Sequence, residues 1–382
     1  MTDWKQVHAE AIVIDTHSDT PQRFVDEAWN FCGALDGGML NLETALQGNL
    51  AAEFFAIWVQ PEEWRGRYAF RTLQLIDGVY EQLKRRPKEM RLGLSPEDIV
   101  AAHAEGVFCA LMGIEGGHSI EADLGLLRLY HRLGVRYMTL TWANSNEWAD
   151  SSGDLDDASV AHHGGLTEFG REVVREMNRM GMMVDVSHVS DATFWDVMKT
   201  TRVPVIASHS CAWALTNAAR NLTDEQLRAV AEGGGAVMVN FYPSFIDETW
   251  RAAWKATEAR RDALYAEAVR PYRERGEAAP YRVQMDSDRK FFAEEFAGAE
   301  LPGVEAIVEH IDYVGRVAGI EHVGIGSDFD GFSLGARGME SAAGLPLITE
   351  GLVARGYSAE QVKLVLGGNL LRVFGAVLSG AQ

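Results

Sequence analysis

Short apolar runs rich in β-branched residues recur along the chain, each followed by a polar or glycine-rich turn and then by a stretch of helical periodicity. The runs that read as strands are Ala11–Ile14, Phe54–Val59, Val107–Met112, Val135–Thr141, Met182–Val186, Val203–Ala207, Ala236–Phe241 and Val323–Gly326. Helical stretches such as Leu166–Met180, Asp224–Glu232 and Val304–Ala318 lie between them. Eight strands alternating with helices predict an α/β chain whose parallel sheet closes into a (β/α)8 TIM barrel. The alternative is an open doubly wound sheet. That fold calls for a glycine-rich phosphate turn after an early strand, and the turn after the first run reads Asp15-Thr16-His17-Ser18-Asp19 instead.

The spacing between the seventh and eighth runs is too long for one crossover. Residues Asp247–Phe296, rich in Arg, Glu, Ala and Trp, read as a helical insertion in a single barrel domain spanning 1–382. Such an insertion serves as a lid or an oligomer contact, a solvated surface excursion being the alternative.

Composition narrows the class of partner. With 35 Lys+Arg against 55 Asp+Glu, the formal charge of -20 repels phosphate backbones and anionic lipid, so neither a nucleic-acid nor a membrane partner is expected. No run of 18 apolar residues occurs. The three cysteines, Cys32, Cys109 and Cys211, are far apart and form no CxxC pair. With no signal-like segment at Met1–Glu10, a cytoplasmic location is the expectation.

In a barrel, the active site collects at the carboxyl ends of the strands. His17 and Asp19 follow the first run, Glu115 the third, His188 the fifth, His209 the sixth and Asp328 the eighth. Residues i and i+2 of an extended segment face the same way, so His17 and Asp19 can bind one cation. Taken singly, each of these residues reads as a turn or core side chain. Together, three histidines and two carboxylates on separate strand ends can hold two divalent ions, Glu115 bridging them with a hydroxide between. A carbamylated lysine cannot be that bridge, because between Lys88 and Lys255 the only lysine is Lys199, in a helical stretch. Asp328, in Gly326-Ser327-Asp328-Phe329-Asp330-Gly331, is placed to move a proton from that water to a leaving amine. Asp330 reads as a turn-forming or supporting residue.

These residues, in this order, resemble the renal-type (membrane) dipeptidases, metallopeptidase family M19 of the amidohydrolase superfamily. The matching stretches are Ile14-Asp15-Thr16-His17-Ser18-Asp19, Gly113–Ile120, Gly164–Gly170, Val184–Ser190, Ala207–Ser210, Arg220-Asn221, Gly235–Tyr242, Gly326–Gly331 and Gly367–Phe374. The resemblance implies a homodimeric enzyme with two Zn2+ per chain and a dipeptide substrate, L-Xaa-D-Xaa dipeptides included. It places His17, Asp19 and Glu115 on one zinc, Glu115, His188 and His209 on the other, and Asp328 as the proton-transferring acid. Arg220 matches the arginine that holds the substrate's carboxylate, a bidentate match of guanidinium to carboxylate. Tyr242 and Phe245 are expected to wall the same pocket.

The chain departs from that pattern at one position. Where many relatives carry a histidine after strand four, Thr139-Leu140-Thr141-Trp142 stands here, and indole can donate a hydrogen bond but cannot become cationic. Either the metal ions alone polarise the carbonyl, with Asn144 or Asn146 nearby, or the pocket has shifted to another substrate, or Trp142 is a packed aromatic. Two other functions remain open at this stage: an amide hydrolase such as an N-acyl amino-acid deacylase, and a catalytically silent metal-binding barrel.

Overall fold

The computed structural model describes residues 3–381. Nine parallel strands form one sheet: β1 Val13–Ser18, β2 Leu50–Trp58, β3 Met90–Leu92, β4 Phe108–Glu115, β5 Val135–Thr139, β6 Met183–Asp185, β7 Ile206–Ala207, β8 Ala236–Val239 and β9 Val323–Ile325. Eight of them run in the order β1-β2-β4-β5-β6-β7-β8-β9, with β3 beside β4 and off that path. The ring closes just beyond β1 and β9, at a parallel bridge between Ser18 and Phe329. There the Asp19 N–H donates to the Phe329 carbonyl at 2.8 Å and the Asp328 N–H to the His17 carbonyl at 2.9 Å. The expected eight-stranded barrel is therefore present, nearly closed, and its seam lies among the candidate site residues.

Both faces of the strands are buried, which is why they read in the sequence as continuous apolar runs rather than as alternating ones. One face, carrying Ile14, Phe54, Leu111, Tyr137, Met183, Ile206 and Met238, fills the barrel interior. The other, carrying Val13, Phe55, Ile57, Met112, Val184, Val237 and Ile325, packs into the larger core shared with the surrounding helices. Helix Asn369–Ser379 plugs the floor with Leu370, Val373, Phe374 and Val377. The segment 359–379 that contains this helix is long and apolar enough to cross a bilayer, with a mean hydropathy of 1.5 in its most apolar window.

Strand limits differ from the apolar runs in an informative way. β1 and β4 extend past them, to Ser18 and Glu115, because parallel pairing continues through polar residues at the mouth: Glu115 is in register with Trp58 on one side and Thr139 on the other. β7 is shorter than the run Val203–Ala207, where Pro204 has no N–H for the ladder. β3, only three residues long, offers too little pattern to be recognised. Helices Asp224–Glu232 and Val304–Ala318 have the expected limits, and Leu166–Met180 starts at Glu168 because the Thr167 hydroxyl caps the Gly170 N–H.

The insertion forms three helices, Glu248–Lys255, Glu258–Glu274 and Arg282–Glu295, around a small core of Trp250, Trp254 and Phe291. It folds back over the barrel mouth. Arg282 pairs with Glu27 at 3.1 Å, Arg289 donates to the Ser333 carbonyl at 3.0 Å, and the Tyr281 hydroxyl donates to the Gly331 carbonyl at 2.8 Å.

One buried histidine ties helix Val304–Ala318 to the loop after β7. His310 Nδ1 accepts the Ala212 N–H at 3.1 Å, so the ring is neutral with its proton on Nε2, beside the Thr216 hydroxyl at 3.4 Å. Burial lowers its pKa to about 4, whereas the unfolded chain takes up the proton near 6.5. The unfolded state therefore binds more protons between those values. Stability should be complete above about pH 6.5 and fall as the pH drops towards 4, by on the order of 2–3 kcal/mol from this residue. Denaturant titrations of the wild type and of His310→Gln across pH 4–8 should show a weaker dependence in the variant.

Candidate metal centre and substrate cavity

Glu115, the last residue of β4, stands at the centre of a cluster of imidazoles. Its Oε2 lies 3.3 Å from His17 Nε2, and its Oε1 lies 2.9 Å from His188 Nε2 and 3.5 Å from His209 Nε2. Asp19 Oδ2 is 3.8 Å from His17 Nε2, and His188 and His209 bring their Nε2 atoms within 2.9 Å of each other. Ligand atoms of His17, Glu115 and His209 form one group within mutual reach of a metal ion, and those of His17, Asp19 and Asp328 form a second. The chain thus gathers residues at or just past the ends of β1, β4, β6, β7 and β9 that lie as far apart in sequence as His17 and Asp328.

Supporting hydrogen bonds settle which nitrogens carry protons. The Tyr137 hydroxyl donates to the Thr16 carbonyl at 3.0 Å and so accepts from His17 Nδ1 at 2.8 Å. The Ser208 hydroxyl donates to Asp185 at 2.5 Å and accepts from His209 Nδ1 at 2.7 Å. Asp185 is itself held by the Ser187 and Ser208 N–H groups and the Thr139 hydroxyl. In both histidines Nδ1 is so fixed as a donor and Nε2 is turned towards Glu115, which is how second partners orient metal-binding imidazoles. His17 Nε2 and Asp19 Oδ1 are buried and have no hydrogen-bond partner.

Lone pairs and carboxylates packed this closely call for positive charge. Burial opposes a charge on His17, yet Glu115, Asp19 and Asp328 outweigh it and push its pKa up to about 10. Asp19 is raised well above the carboxylate range by burial and by Glu115. His188 and His209 are lowered, chiefly by burial, His188 to about 4, and are therefore neutral ligands near pH 7. Divalent ions would satisfy all of these groups at once, so the donor set fits a metal centre of nitrogen and oxygen ligands.

Local backbone strain sharpens the arrangement. His188 and Asp328 adopt left-handed conformations, with φ of 68° and 66°, a costly choice for residues with side chains. The His188 carbonyl is braced by the Ser152 N–H at 2.8 Å. Glycine is required at Gly331, where a Cβ would lie 2.2 Å from Asp328 Oδ1 and 2.5 Å from Asp19 Oδ2. It is required at Gly113 too, where a Cβ would fall within the Tyr137 ring.

Above the ligands lies an open cavity of about 210 Å³, room for a small molecule. Asp19, Glu115, His188 and Asp328 form its base. Asp328 Oδ2 accepts from Asn240 Nδ2 at 2.9 Å, and burial and Glu115 raise its pKa to about 6. Arg220 reaches the cavity with Nη2 on the His209 carbonyl at 3.1 Å, Nη1 on the Ser210 hydroxyl at 3.3 Å and Nε unpartnered. Trp142, Tyr242 and Phe245 form walls, while His17 and His209 lie against Glu115 beneath the cavity. Asn144 and Asn146 do not line it. Asn146 is spent on the Leu140 carbonyl and on the N–H groups of Trp148 and Ala149, and Asn144 donates to the Ser145 carbonyl. Asp330 ties loops together by accepting from Thr20 and the Met39 N–H, as a turn-supporting residue would. Lys199 sits exposed on helix Asp191–Thr200, away from any strand end.

The whole chain, residues 1–382, matches the family model described as membrane dipeptidase (peptidase family M19). This protein belongs to the membrane dipeptidase family. It is 34% identical to dipeptidase aclJ of Aspergillus oryzae over 89% of this chain and 70% of that protein. With dipeptidase verJ of Clonostachys rogersoniana it shares 30% identity over 97% of this chain and 85% of the relative. Among solved structures, the probable dipeptidase PvdM from Pseudomonas aeruginosa superposes with a TM-score of 0.83 at 27% identity, covering 99% of this chain and 98% of that one. A metallopeptidase from Rhodobacter sphaeroides, solved with a phosphinate mimic of the dipeptide L-Ala-D-Ala, gives 0.74 at 26% identity, covering 96% and 100%. Like other members of the membrane dipeptidase family, the chain is a metallo-dipeptidase.

Sequence reading missed Tyr137, Asp185, Ser208, Asn240, Trp58 and Tyr281. The first four act through hydrogen bonds between strands and carry no motif, although Asp185 inside an apolar run was a signal that a buried carboxylate had partners. Tyr137→Phe removes only the hydroxyl that orients His17. It should weaken metal binding about 10–100-fold, measured by chelator competition, with the fold unchanged by circular dichroism.

Proposed function

We propose that the protein is a binuclear zinc dipeptidase that hydrolyses free dipeptides, including those of L-Xaa-D-Xaa form. The observation that carries this reading is the convergence of His17, Asp19, His188 and His209 on Glu115, with Asp328 and Arg220 bordering the same cavity. His17 and Asp19 would hold one ion with Glu115, and His188 and His209 would hold the other with the second oxygen of Glu115. Two zinc ions so held would supply Lewis-acid polarisation of the scissile carbonyl and a bridging hydroxide as nucleophile. The relative solved with an L-Ala-D-Ala mimic supports a D-residue at the second position.

The chain's own groups divide the remaining work. Asp328 takes the proton released on attack and passes it to the leaving amine. Its Oδ2 is occupied by Asn240, so Oδ1 is the oxygen that exchanges protons, and a pKa lifted by burial suits a group that must both gain and lose one. Arg220, anchored by His209 and Ser210, offers its guanidinium to the substrate's carboxylate. Trp142 supplies no charge, so polarisation of the carbonyl would fall to the bound metal ions. A homodimer belongs to the same proposal through the family resemblance. A cytoplasmic location agrees with the three unpaired cysteines.

The test is a panel of L-Xaa-L-Xaa and L-Xaa-D-Xaa dipeptides with their N-acetylated analogues, on protein of measured zinc content. About two zinc ions per chain and turnover of free dipeptides alone are expected, with kcat falling about 10²–10⁴-fold in Asp328→Asn. Turnover of the acetylated compounds alone would transfer the enzyme to the deacylases, and turnover of none would leave a silent barrel. Arg220→Gln should erase discrimination against dipeptide amides, a preference of about 1.5–3 kcal/mol for the charged carboxylate, read from kcat/KM on both substrate types.

A further inference from the structure

The barrel mouth carries aromatic side chains on opposite sides. In the strand order β1-β2-β4-β5-β6-β7-β8-β9, Trp58 ends β2 and Trp142 follows β5, whereas Arg220 follows β7 and Tyr242 follows β8 on the facing side. The Trp58 ring lies 4.9 Å from Trp142 and 5.3 Å from Tyr281, centre to centre, which makes one continuous aromatic wall along the cavity. Tyr281 comes from the insertion. Its hydroxyl is spent on the Gly331 carbonyl, so it presents its ring rather than a polar tip, and the adjacent Arg282 is pinned to Glu27. The wall is therefore assembled before any substrate arrives, which spares the entropy of ordering it on binding.

Chain direction decides what meets it. With the substrate's carboxylate on Arg220 and its scissile carbonyl over Glu115, the amino-terminal residue must continue across the barrel axis, towards β2 and β5. An extended dipeptide spans roughly 7 Å, and the Trp142 ring lies 6.4 Å from that of His188, centre to centre. We infer that Trp58, Trp142 and Tyr281 form the subsite for the amino-terminal side chain, and that it selects bulky aromatic or apolar residues over small ones. This rests on the dipeptidase reading. It also gives Trp142 a role that a catalytic histidine could not fill, since imidazole offers less apolar area and, when charged, resists desolvation. The insertion, by lending Tyr281, becomes part of the specificity of the enzyme.

The experiment compares kcat/KM of the zinc-loaded full chain for L-Phe-D-Ala, L-Lys-D-Ala, L-Ala-D-Phe and L-Ala-D-Ala, in the wild type, Trp142→Ala and Tyr281→Ala. L-Phe-D-Ala should exceed L-Ala-D-Ala by about tenfold or more and should also exceed L-Lys-D-Ala. In each variant that ratio should fall towards one, while the ratio of L-Ala-D-Phe to L-Ala-D-Ala stays where it was. Calorimetric binding of the same peptides to Asp328→Asn reads the preference without turnover and should rank them alike. Equal rates for Phe and Ala, a preference for Lys, or variants that lower all four substrates in proportion would overturn the subsite. If no dipeptide is hydrolysed at all, the dipeptidase reading itself fails, a result distinct from hydrolysis without discrimination.

Discussion

A single carboxylate organises the mouth of this barrel. Glu115 brings its two oxygens within reach of three imidazoles from three other strands, in a place with little water to screen the charges. Burying such a set without a compensating ion is costly, because carboxylates and lone pairs repel one another in a low dielectric. The electrostatics record that cost: His17 is driven towards its protonated form, and Asp19 and Asp328 away from their ionised forms. A divalent metal centre resolves every one of these conflicts together, and the surrounding hydrogen bonds from Tyr137, Ser208 and Asp185 point the nitrogen lone pairs at it in advance.

The barrel makes that convergence possible by separating two jobs. Its lower part is apolar on both strand faces and is sealed by the helix Asn369–Ser379, which supplies rigidity. At its upper rim the ladder carries on through the polar residues His17, Ser18 and Glu115, with Trp58 paired beside Glu115. The seam between β1 and β9 closes through backbone bonds at His17, Asp19, Asp328 and Phe329, so ring closure and site assembly are one event. Strain at His188 and Asp328 is tolerated because that closed ring over-determines their positions.

The insertion adds a second layer of control. Its helices pack on their own tryptophan core and meet the barrel through the Arg282–Glu27 ion pair, side-chain bonds to the Gly331 and Ser333 carbonyls and the Tyr281–Trp58 ring contact. It supplies Arg261, Tyr281, Gln284, Met285 and Asp288 to a cavity whose base comes entirely from strand ends. The insertion thus adds side chains to the cavity wall without supplying a metal ligand, which all come from the rim.

Much of this was legible in the chain by itself. Apolar runs of the right spacing imply a parallel sheet buried on both faces, and the lack of a glycine-rich phosphate turn after the first run favours a barrel over an open doubly wound sheet. The positions of His17, Asp19, Glu115, His188, His209 and Asp328 follow from it, because chemistry-bearing residues just past such runs have nowhere to point except the mouth. What only the tertiary structure decided are relations between strands: the hydroxyl of Tyr137 on His17, the amide of Asn240 on Asp328, and the ring of Tyr281 facing Trp58 across more than two hundred residues. Periodicity and motif record what each segment does alone. A hydrogen bond or aromatic contact between distant segments depends on the register and closure of the whole ring, and no local pattern encodes it.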